Sequence, residues 1–412
     1  MLPNDNDLRH KLSTIASRLP WYEQLLRPLH PGGTPASLSL ADLPLMNRSA
    51  LEQFYYTDVP PADNGLSVYR TSGTSTGKRK AIYYSAEDDE HYITVKIALF
   101  RQWLLASGGP PVSRVMSDMG TGHAASTAVV IFEKLGLEVE SLSFELPIKE
   151  HVRRLEAYRP QLLYTMPSIL DAIIRECTEP KALGILKVIL VGELATPEWQ
   201  AQKAAQLGIE KADILDTLGS IEIGTIAAYS HVHGRYLLVD GLYAEGLKAE
   251  ELGEGFELLE EDERVLVLTS WVRDWFPALR YVTYDVVRGL ETIMVDGKPR
   301  QSFRCVSKRI GPELKHGEKI SLYDIEEAVY PFASDAEVRV KLQDNVLTIY
   351  IRSKLLEEGR LPEVKQAVEE RIPDIGQMIR GGMLSGMNVL LVNEDSSVFE
   401  RRSVKGKRVY YD

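Results

Sequence analysis

Residues Arg70-Thr71-Ser72-Gly73-Thr74-Ser75-Thr76-Gly77-Lys78-Arg79-Lys80 set five hydroxyl side chains around one glycine, add a second glycine and end on three consecutive cations. Glycine lets backbone N–H groups turn toward an anion, hydroxyls donate further hydrogen bonds, and cations neutralise phosphate charge. A plain polar turn needs only one or two such residues for its geometry. The segment Ala81-Ile82-Tyr83-Tyr84 that follows is apolar and tyrosine-containing, so the loop is predicted to join two strands of a hairpin. A Walker A motif requires G-x-x-x-x-G-K-[ST] between a strand and a helix. Here three residues separate Gly73 from Gly77, and Arg79 follows Lys78. The loop is expected to hold a triphosphate in a manner different from a P-loop NTPase.

The chain has 412 residues, 44% hydrophobic and 26% charged, an ordinary globular composition with room for two or three domains. No apolar run approaches the roughly 20 residues that span a bilayer. The N-terminal Met1-Leu2-Pro3-Asn4-Asp5 lacks the basic start and apolar core of a signal peptide. Two cysteines, Cys177 and Cys305, form no metal-spaced cluster. A reduced cytoplasm, with no membrane partner, is the expectation. The net charge of −11 disfavours nucleic acid, whose binding depends on cations. An acidic chain that gathers cations in one loop suits a small polyanion such as ATP.

Hydrophobic spacing predicts a helix over 7–28, a long helix over 87–106, and strands and helices alternating from 112 to 191. That alternation implies a mostly parallel sheet layered with helices. From 210 to 300, short strands with Gly and acidic turns imply a β-rich subdomain. Beyond about 310 a helix, two strands, another helix and a basic tail imply a small α+β domain. The α/β expectation is therefore a large domain over 1–309 and a small one over 310–412.

Four further segments carry chemistry. Asp216-Thr217-Leu218-Gly219-Ser220-Ile221-Glu222 follows a predicted strand, with Gly219 free of a side chain where a ligand could pass and Glu222 placed for Mg²⁺. Pro277-Ala278-Leu279-Arg280-Tyr281-Val282-Thr283-Tyr284-Asp285 ends on a carboxylate suited to vicinal ribose hydroxyls or to a strand-end salt bridge. Val191-Gly192-Glu193-Leu194 is a glycine turn between a strand and a helix. The tail Arg401-Arg402-Ser403-Val404-Lys405-Gly406-Lys407-Arg408-Val409 is a basic cluster. His231-Val232-His233 could place two imidazoles on one strand face, with no third ligand nearby.

The 71–80 loop resembles the phosphate loop of adenylate-forming enzymes, in the variant found in plant acyl-acid amido synthetases and bacterial acyl-protein synthetases. Arg18-Leu19-Pro20-Trp21-Tyr22, Ser37 to Pro44, Gly234 to Asp240, Arg264 to Ser270 and Pro277 to Asp285 resemble segments of phenylacetate-CoA ligases. Together these motifs run over nearly the whole chain. The 216–222 segment resembles the family's YG-x-[ST]-E motif, with Leu218 replacing its aromatic residue and Ser220-Ile221 transposed. The resemblance implies ATP and Mg²⁺ as cofactors. It assigns Thr71, Ser72, Gly73, Thr74, Ser75, Gly77, Lys78 and Lys80 to the ATP phosphates. Gly192, Glu193, Leu218, Gly219, Ser220, Asp285 and Arg309 fall to AMP, with Lys308 the other choice in the poorly matching hinge, and His123 falls to the acid pocket. Glu222 would be catalytic and hold the metal; Lys407, with Lys405 as the alternative register, would be the catalytic lysine. The implied reaction turns a small carboxylic acid into an acyl-AMP and passes the acyl group on. Compact free-standing relatives suggest an aryl acid such as 3,4-dihydroxybenzoate and the phosphopantetheine thiol of a carrier protein in siderophore biosynthesis. An aryl-CoA ligase using free CoA, an acyl-amide synthetase and a non-catalytic nucleotide binder are the alternatives.

Overall fold

The hydroxyl-rich loop leaves strand β1 (Ser67–Arg70) and returns as β2 (Ala81–Tyr84), an antiparallel pair in which Arg70 faces Ala81. The predicted hairpin is therefore present in the computed structural model. The structure describes residues 5–27, 39–57, 65–70, 80–106, 108–119, 123–253, 256, 258–310, 321–343, 345–380, 384–393, 396, 398 and 409–411. Ahead of the hairpin lie α1 (Asp5–Arg18), α2 (Tyr22–Leu26) and α3 (Arg48–Ala50). The single helix predicted over 7–28 is thus two, because Pro20 lacks the N–H that would continue the ladder.

After β2 the chain alternates through α4 (Ala86–Ala106), β3 (Arg114–Ser117), α5 (His123–Lys134), β4 (Glu138–Ser141), α6 (Ile148–Tyr158), β5 (Leu162–Thr165), α7 (Pro167–Glu176), β6 (Lys187–Val191), α8 (Pro197–Leu207) and β7 (Ile214–Ser220). The register is parallel throughout, in the order β4-β3-β5-β6-β7. All four residues of β5 are buried, as a parallel strand covered on both faces requires. At β7 the sheet changes character. β8 (Gly224–Ser230), β9 (Arg235–Leu238), and later β13 (Glu291–Val295) and β14 (Lys298–Phe303) continue it antiparallel, giving nine strands among the described residues.

A second antiparallel sheet runs β10 (Leu242–Leu247), β11 (Glu263–Ser270), β12 (Tyr281–Arg288) and β15 (Cys305–Arg309). The small C-terminal domain contains α9 (Leu322–Val329), β16 (Glu337–Gln343), β17 (Val346–Arg352), α10 (Leu361–Arg371), α11 (Pro373–Arg380), β18 (Gly386–Leu391) and β19 (Val409–Tyr411). Its sheet order is β18-β17-β16-β19, and β19 lies parallel to β16 with Val409 opposite Val340. The basic segment 401–408 lies outside the described residues, and β19 follows it.

Each region has its own apolar core. One lies under α4–α8, one joins α1 and α2 to the β-rich region, and one fills the small domain. The small domain sits on α7 and α8 through polar contacts. Thr196 Oγ1 donates to Glu326 Oε2 at 2.8 Å, Gln202 to Ser334 O at 2.6 Å, and Arg175 to Glu337 at 2.5 Å. Arg288 forks between Glu263 on its own sheet and Asp324 on α9. Among the described residues no helix is long and apolar enough to cross a membrane.

Candidate active site

The turn between β7 and β8 lies where the nine-stranded sheet changes from parallel to antiparallel, and it carries Glu222. Gly219 makes that turn possible. A Cβ there would lie 2.7 Å from the Gly224 carbonyl oxygen, a distance side chains do not tolerate. The glycine therefore admits the partner strand at this turn. Ser220 Oγ accepts from Ile223 N at 3.3 Å and closes the turn, while Leu218 packs into the apolar core of the β-rich region. Gly219→Ala is expected to cost about 1–3 kcal/mol of stability by overpacking. It should also lower acid-dependent ATP–pyrophosphate exchange as Glu222 shifts; an unchanged denaturation midpoint would show that the turn absorbs a methyl group.

The Glu222 carboxylate makes no hydrogen bond or ion pair with another described residue. Its charge acts on three nearby tyrosines, Tyr56, Tyr84 and Tyr281. Burial first, and the Glu222 charge second, push the ionisation of Tyr56 and Tyr281 far up. Burial also raises Tyr84, whose hydroxyl donates to Ile221 O at 2.7 Å. Behind the turn Arg273 donates through Nε to Glu222 O at 3.2 Å and through Nη2 to Tyr83 O at 2.5 Å. Its guanidinium carbon is 3.6 Å from the Tyr84 ring centre, and it pairs with buried Asp88. One cation thus ties α4, β2 and the Glu222 turn together. A half-buried carboxylate near neutral tyrosines has the character of an oxygen ligand for a hard cation such as Mg²⁺.

Asp285 lies within β12 opposite Arg309 at the end of β15, and the two side chains approach to 3.7 Å. Arg309 also donates to Thr283 O at 3.1 Å. Lys308 is buried and pairs with Glu263 at 3.3 Å, so of the two hinge cations Arg309 stands beside Asp285. Tyr284 adopts φ +63°, a left-handed backbone that favours glycine. It is anchored there as its hydroxyl accepts from Arg48 N at 3.0 Å. Tyr281 feels Glu222, Arg309 and Asp285 together, so these predicted residues converge around one ring.

Lys80 donates to Glu52 Oε1 at 2.9 Å and lies 4.5 Å from the Tyr56 ring centre, which brings the end of the loop to the same tyrosine that faces Glu222. Thr71, Ser72, Gly73, Thr74, Ser75, Gly77 and Lys78 lie outside the described residues, as do Lys405 and Lys407. Gly192 has φ +88° directly after β6, and a Cβ on it would touch Met166 at 3.8 Å. Glu193 accepts from Ser168 N at 2.8 Å and Ser168 Oγ at 2.9 Å, so its carboxylate caps the first turn of α7. His123 begins α5, buried among Tyr69, Tyr84 and Tyr92, with Nε2 2.7 Å from Asp89 Oδ1. Burial, then the charges of Lys96 and Arg273, hold it down to about 3, so this imidazole is neutral. His231 and His233 do not share a strand face. They sit in the β8–β9 turn, one against Ile214 O and the other against Ser230.

Sequence reasoning missed Arg273, Asp88, Tyr56 and Tyr281. Only burial marks the first two, and a lone Arg-Asp dipeptide (Arg273-Asp274) carries no such signal. Residues 315–395 match the family described as the fumarate–diaminopropanoate ligase C-terminal domain. Over 383 residues, 93% of this chain and 94% of its relative, the sequence is 34% identical to fumarate–(S)-2,3-diaminopropanoate ligase of Enterobacter agglomerans. The chain belongs to the fumarate–diaminopropanoate ligase family. It is an acid-activating, acyl-AMP-forming ligase. Solved structures show the same fold at low identity. A 2-hydroxyisobutyryl-CoA ligase in its postadenylation state covers 99% of this chain and 88% of its own, at 17% identity and TM-score 0.71. The same ligase in its thioesterification state gives TM-score 0.58. An amide bond synthetase from Marinactinospora thermotolerans covers 81% of this chain and 68% of its own, at 12% identity and TM-score 0.50. The Enterobacter agglomerans relative is named for fumarate and (S)-2,3-diaminopropanoate.

Proposed function

We propose that this ligase joins a short carboxylic acid of the fumarate type to the amine of a small amino acid such as 2,3-diaminopropanoate. The observation that carries this reading is the 34% identity that extends along 93% of the chain to a ligase named for those two substrates. In the first step a carboxylate oxygen of the acid bonds to the ATP α-phosphorus, and pyrophosphate leaves with its electron pair. In the second the amine nitrogen bonds to the acyl carbon, AMP leaves, and the amine's proton passes to solvent.

We assign the roles as follows. The 71–80 loop cradles the β- and γ-phosphates, Asp285 accepts the ribose hydroxyls, and Arg309 lies beside it to meet the phosphates. Gly192 and Glu193, with Leu218, Gly219 and Ser220, border AMP; His123 borders the acid. Glu222 would hold Mg²⁺, which when bound neutralises charge on the phosphate oxygens. Lys407 meets the charge that develops at the α-phosphate, and such positioning and charge are most of what phosphoryl chemistry asks of a protein. The lysine belongs to the small domain, so adenylation depends on where that domain sits. We keep its boundary at 309/310. The free thiols of Cys177 and Cys305 suit a cytoplasmic enzyme fed by cellular ATP.

The second reading keeps an aryl acid such as dihydroxybenzoate and a thiol acceptor, either a siderophore-type carrier protein or CoA. The fold likeness to a CoA ligase supports it, because the fold serves amine and thiol acceptors alike. ATP–pyrophosphate exchange with fumarate, 3,4-dihydroxybenzoate and phenylacetate separates the acids. Fumarate is expected to lead by on the order of tenfold or more, about 1.4 kcal/mol. With diaminopropanoate added, mass spectrometry should show an amide equal to the two substrates less one water. Exchange with dihydroxybenzoate alone, and product formed only with a thiol, would replace the first reading by the second.

A further inference from the structure

Lys96 occupies a costly position that none of the roles above explains. It lies on the buried stripe of α4 with Ile93 and Phe100, and only 2% of its surface is exposed. Its Nζ donates to Tyr164 Oη at 2.7 Å and lies 5.0, 5.2 and 5.6 Å from the ring centres of Tyr92, Tyr164 and Phe100. Among the described residues no carboxylate comes within 4.0 Å of it. Removing an ammonium from water is expensive unless a counter-charge meets it, and ring faces offset only part of that cost. Burial lowers Lys96 to about 7, and an arriving anion would favour its charged form.

Its surroundings connect it to the active site. Tyr164 is the penultimate residue of β5, whose C-terminal end leads into Met166 beside Gly192. Tyr92, one helical turn before Lys96, packs on His123 with ring centres 3.9 Å apart. On its other side, Tyr92 lies 3.1 Å from where a Cβ on Gly224 would sit, two residues past Glu222. Ligands of open α/β sheets bind beyond the C-terminal ends of the strands, where β5, β6 and the Glu222 turn meet here. Lys96 reaches that end of the sheet through its bond to Tyr164, one residue before the end of β5.

We propose that Lys96 is a specificity residue, and that its ammonium receives the distal carboxylate of a dicarboxylic acid whose other carboxylate is adenylated at the rim. This rests on the dicarboxylate reading of the reaction. A monocarboxylate would leave the buried charge unmet, so a single lysine both attracts the diacid and rejects its neutral analogues.

The test compares ATP–pyrophosphate exchange with fumarate and with monomethyl fumarate, which keeps one reactive carboxylate and neutralises the other. Wild type should prefer fumarate. Lys96→Met fills the same space without charge. It should lower kcat/KM for fumarate on the order of 100-fold, chiefly through KM, and leave the ester within about threefold, abolishing the preference. Lys96→Arg should keep part of the preference. Tyr164→Phe, which frees the ammonium from its hydroxyl partner, should weaken the preference severalfold and supports the proposal even where Lys96→Met is poorly folded. Equal losses for both acids in Lys96→Met, or a preference that Lys96→Met and Tyr164→Phe both retain, would overturn the role of Lys96 alone. A wild-type enzyme that activates neither acid overturns the dicarboxylate reading and this proposal with it.

Discussion

Lys407→Ala is expected to reduce acid-dependent ATP–pyrophosphate exchange by about 10²–10³-fold, the usual loss when one preorganised charge is removed from a transition state. ATP binding, followed by calorimetry, should change by less than threefold, because the contacts proposed for the nucleotide's ground state, the loop and Asp285, are left in place. Lys405→Ala tests the register and should stay within a few-fold of wild type. The structure gives the comparison its meaning. Residues 409–411, which begin two positions after Lys407, pair with Val340, Lys341 and Leu342 of the small domain's sheet. A lysine so close in sequence to a paired strand has less chain entropy to lose in reaching a phosphate than one on a long free tail. Full activity in Lys407→Ala with loss in Lys405→Ala would move the catalytic role by two residues. Loss in neither would remove the basic segment from the mechanism.

Asp88→Ala is expected to destabilise the large domain by about 3–5 kcal/mol, the cost of leaving a buried guanidinium without its carboxylate. Arg273 and Asp88 are 2% and 3% exposed, and the network around them is dense. Asp88 Oδ1 accepts from Asp274 N at 2.8 Å, its Oδ2 from Ser85 N at 3.2 Å, and Lys11 donates to Arg273 O at 2.6 Å. Urea midpoints measure the loss. Asp88→Leu combined with Arg273→Met should cost less than Asp88→Ala alone, since neither charge is then stranded. Exchange activity should fall in each variant, because Arg273 is bonded to the Glu222 carbonyl. A midpoint that moves by under about 1 kcal/mol in Asp88→Ala would mean that water reaches the arginine.

Local chemistry made the outline of the fold readable. The hairpin was announced by two short tyrosine-bearing segments around a loop, and the alternation from 112 to 191 by apolar runs spaced by helical periods. Glu222 and Asp285 were legible because each stands in a run of residues with a recognisable order. The C-terminal strands were not. Gly386–Leu391 and Val409–Tyr411 are short, and both pair in parallel with strands distant in sequence, so no turn signal joins them to their partners. Lys96 left a trace that was overlooked, a lysine three residues after Ile93 and four before Phe100 on an otherwise apolar stripe.

The sequence by itself determined the glycine- and hydroxyl-rich loop, the α/β alternation, the carboxylates at 222 and 285 and the basic cluster before the C-terminus, because each depends on residue type and near-neighbour spacing. The tertiary structure decided which charges are spent on holding the fold and which remain for a ligand. It committed Glu193 to a helix cap, Lys308 to Glu263 and Arg273 to Asp88, and it set Glu222 near neutral tyrosines and Lys96 among aromatic rings. Pairing and desolvation are properties of distance in space, and residues 88 and 273 acquire theirs only when the chain between them has folded.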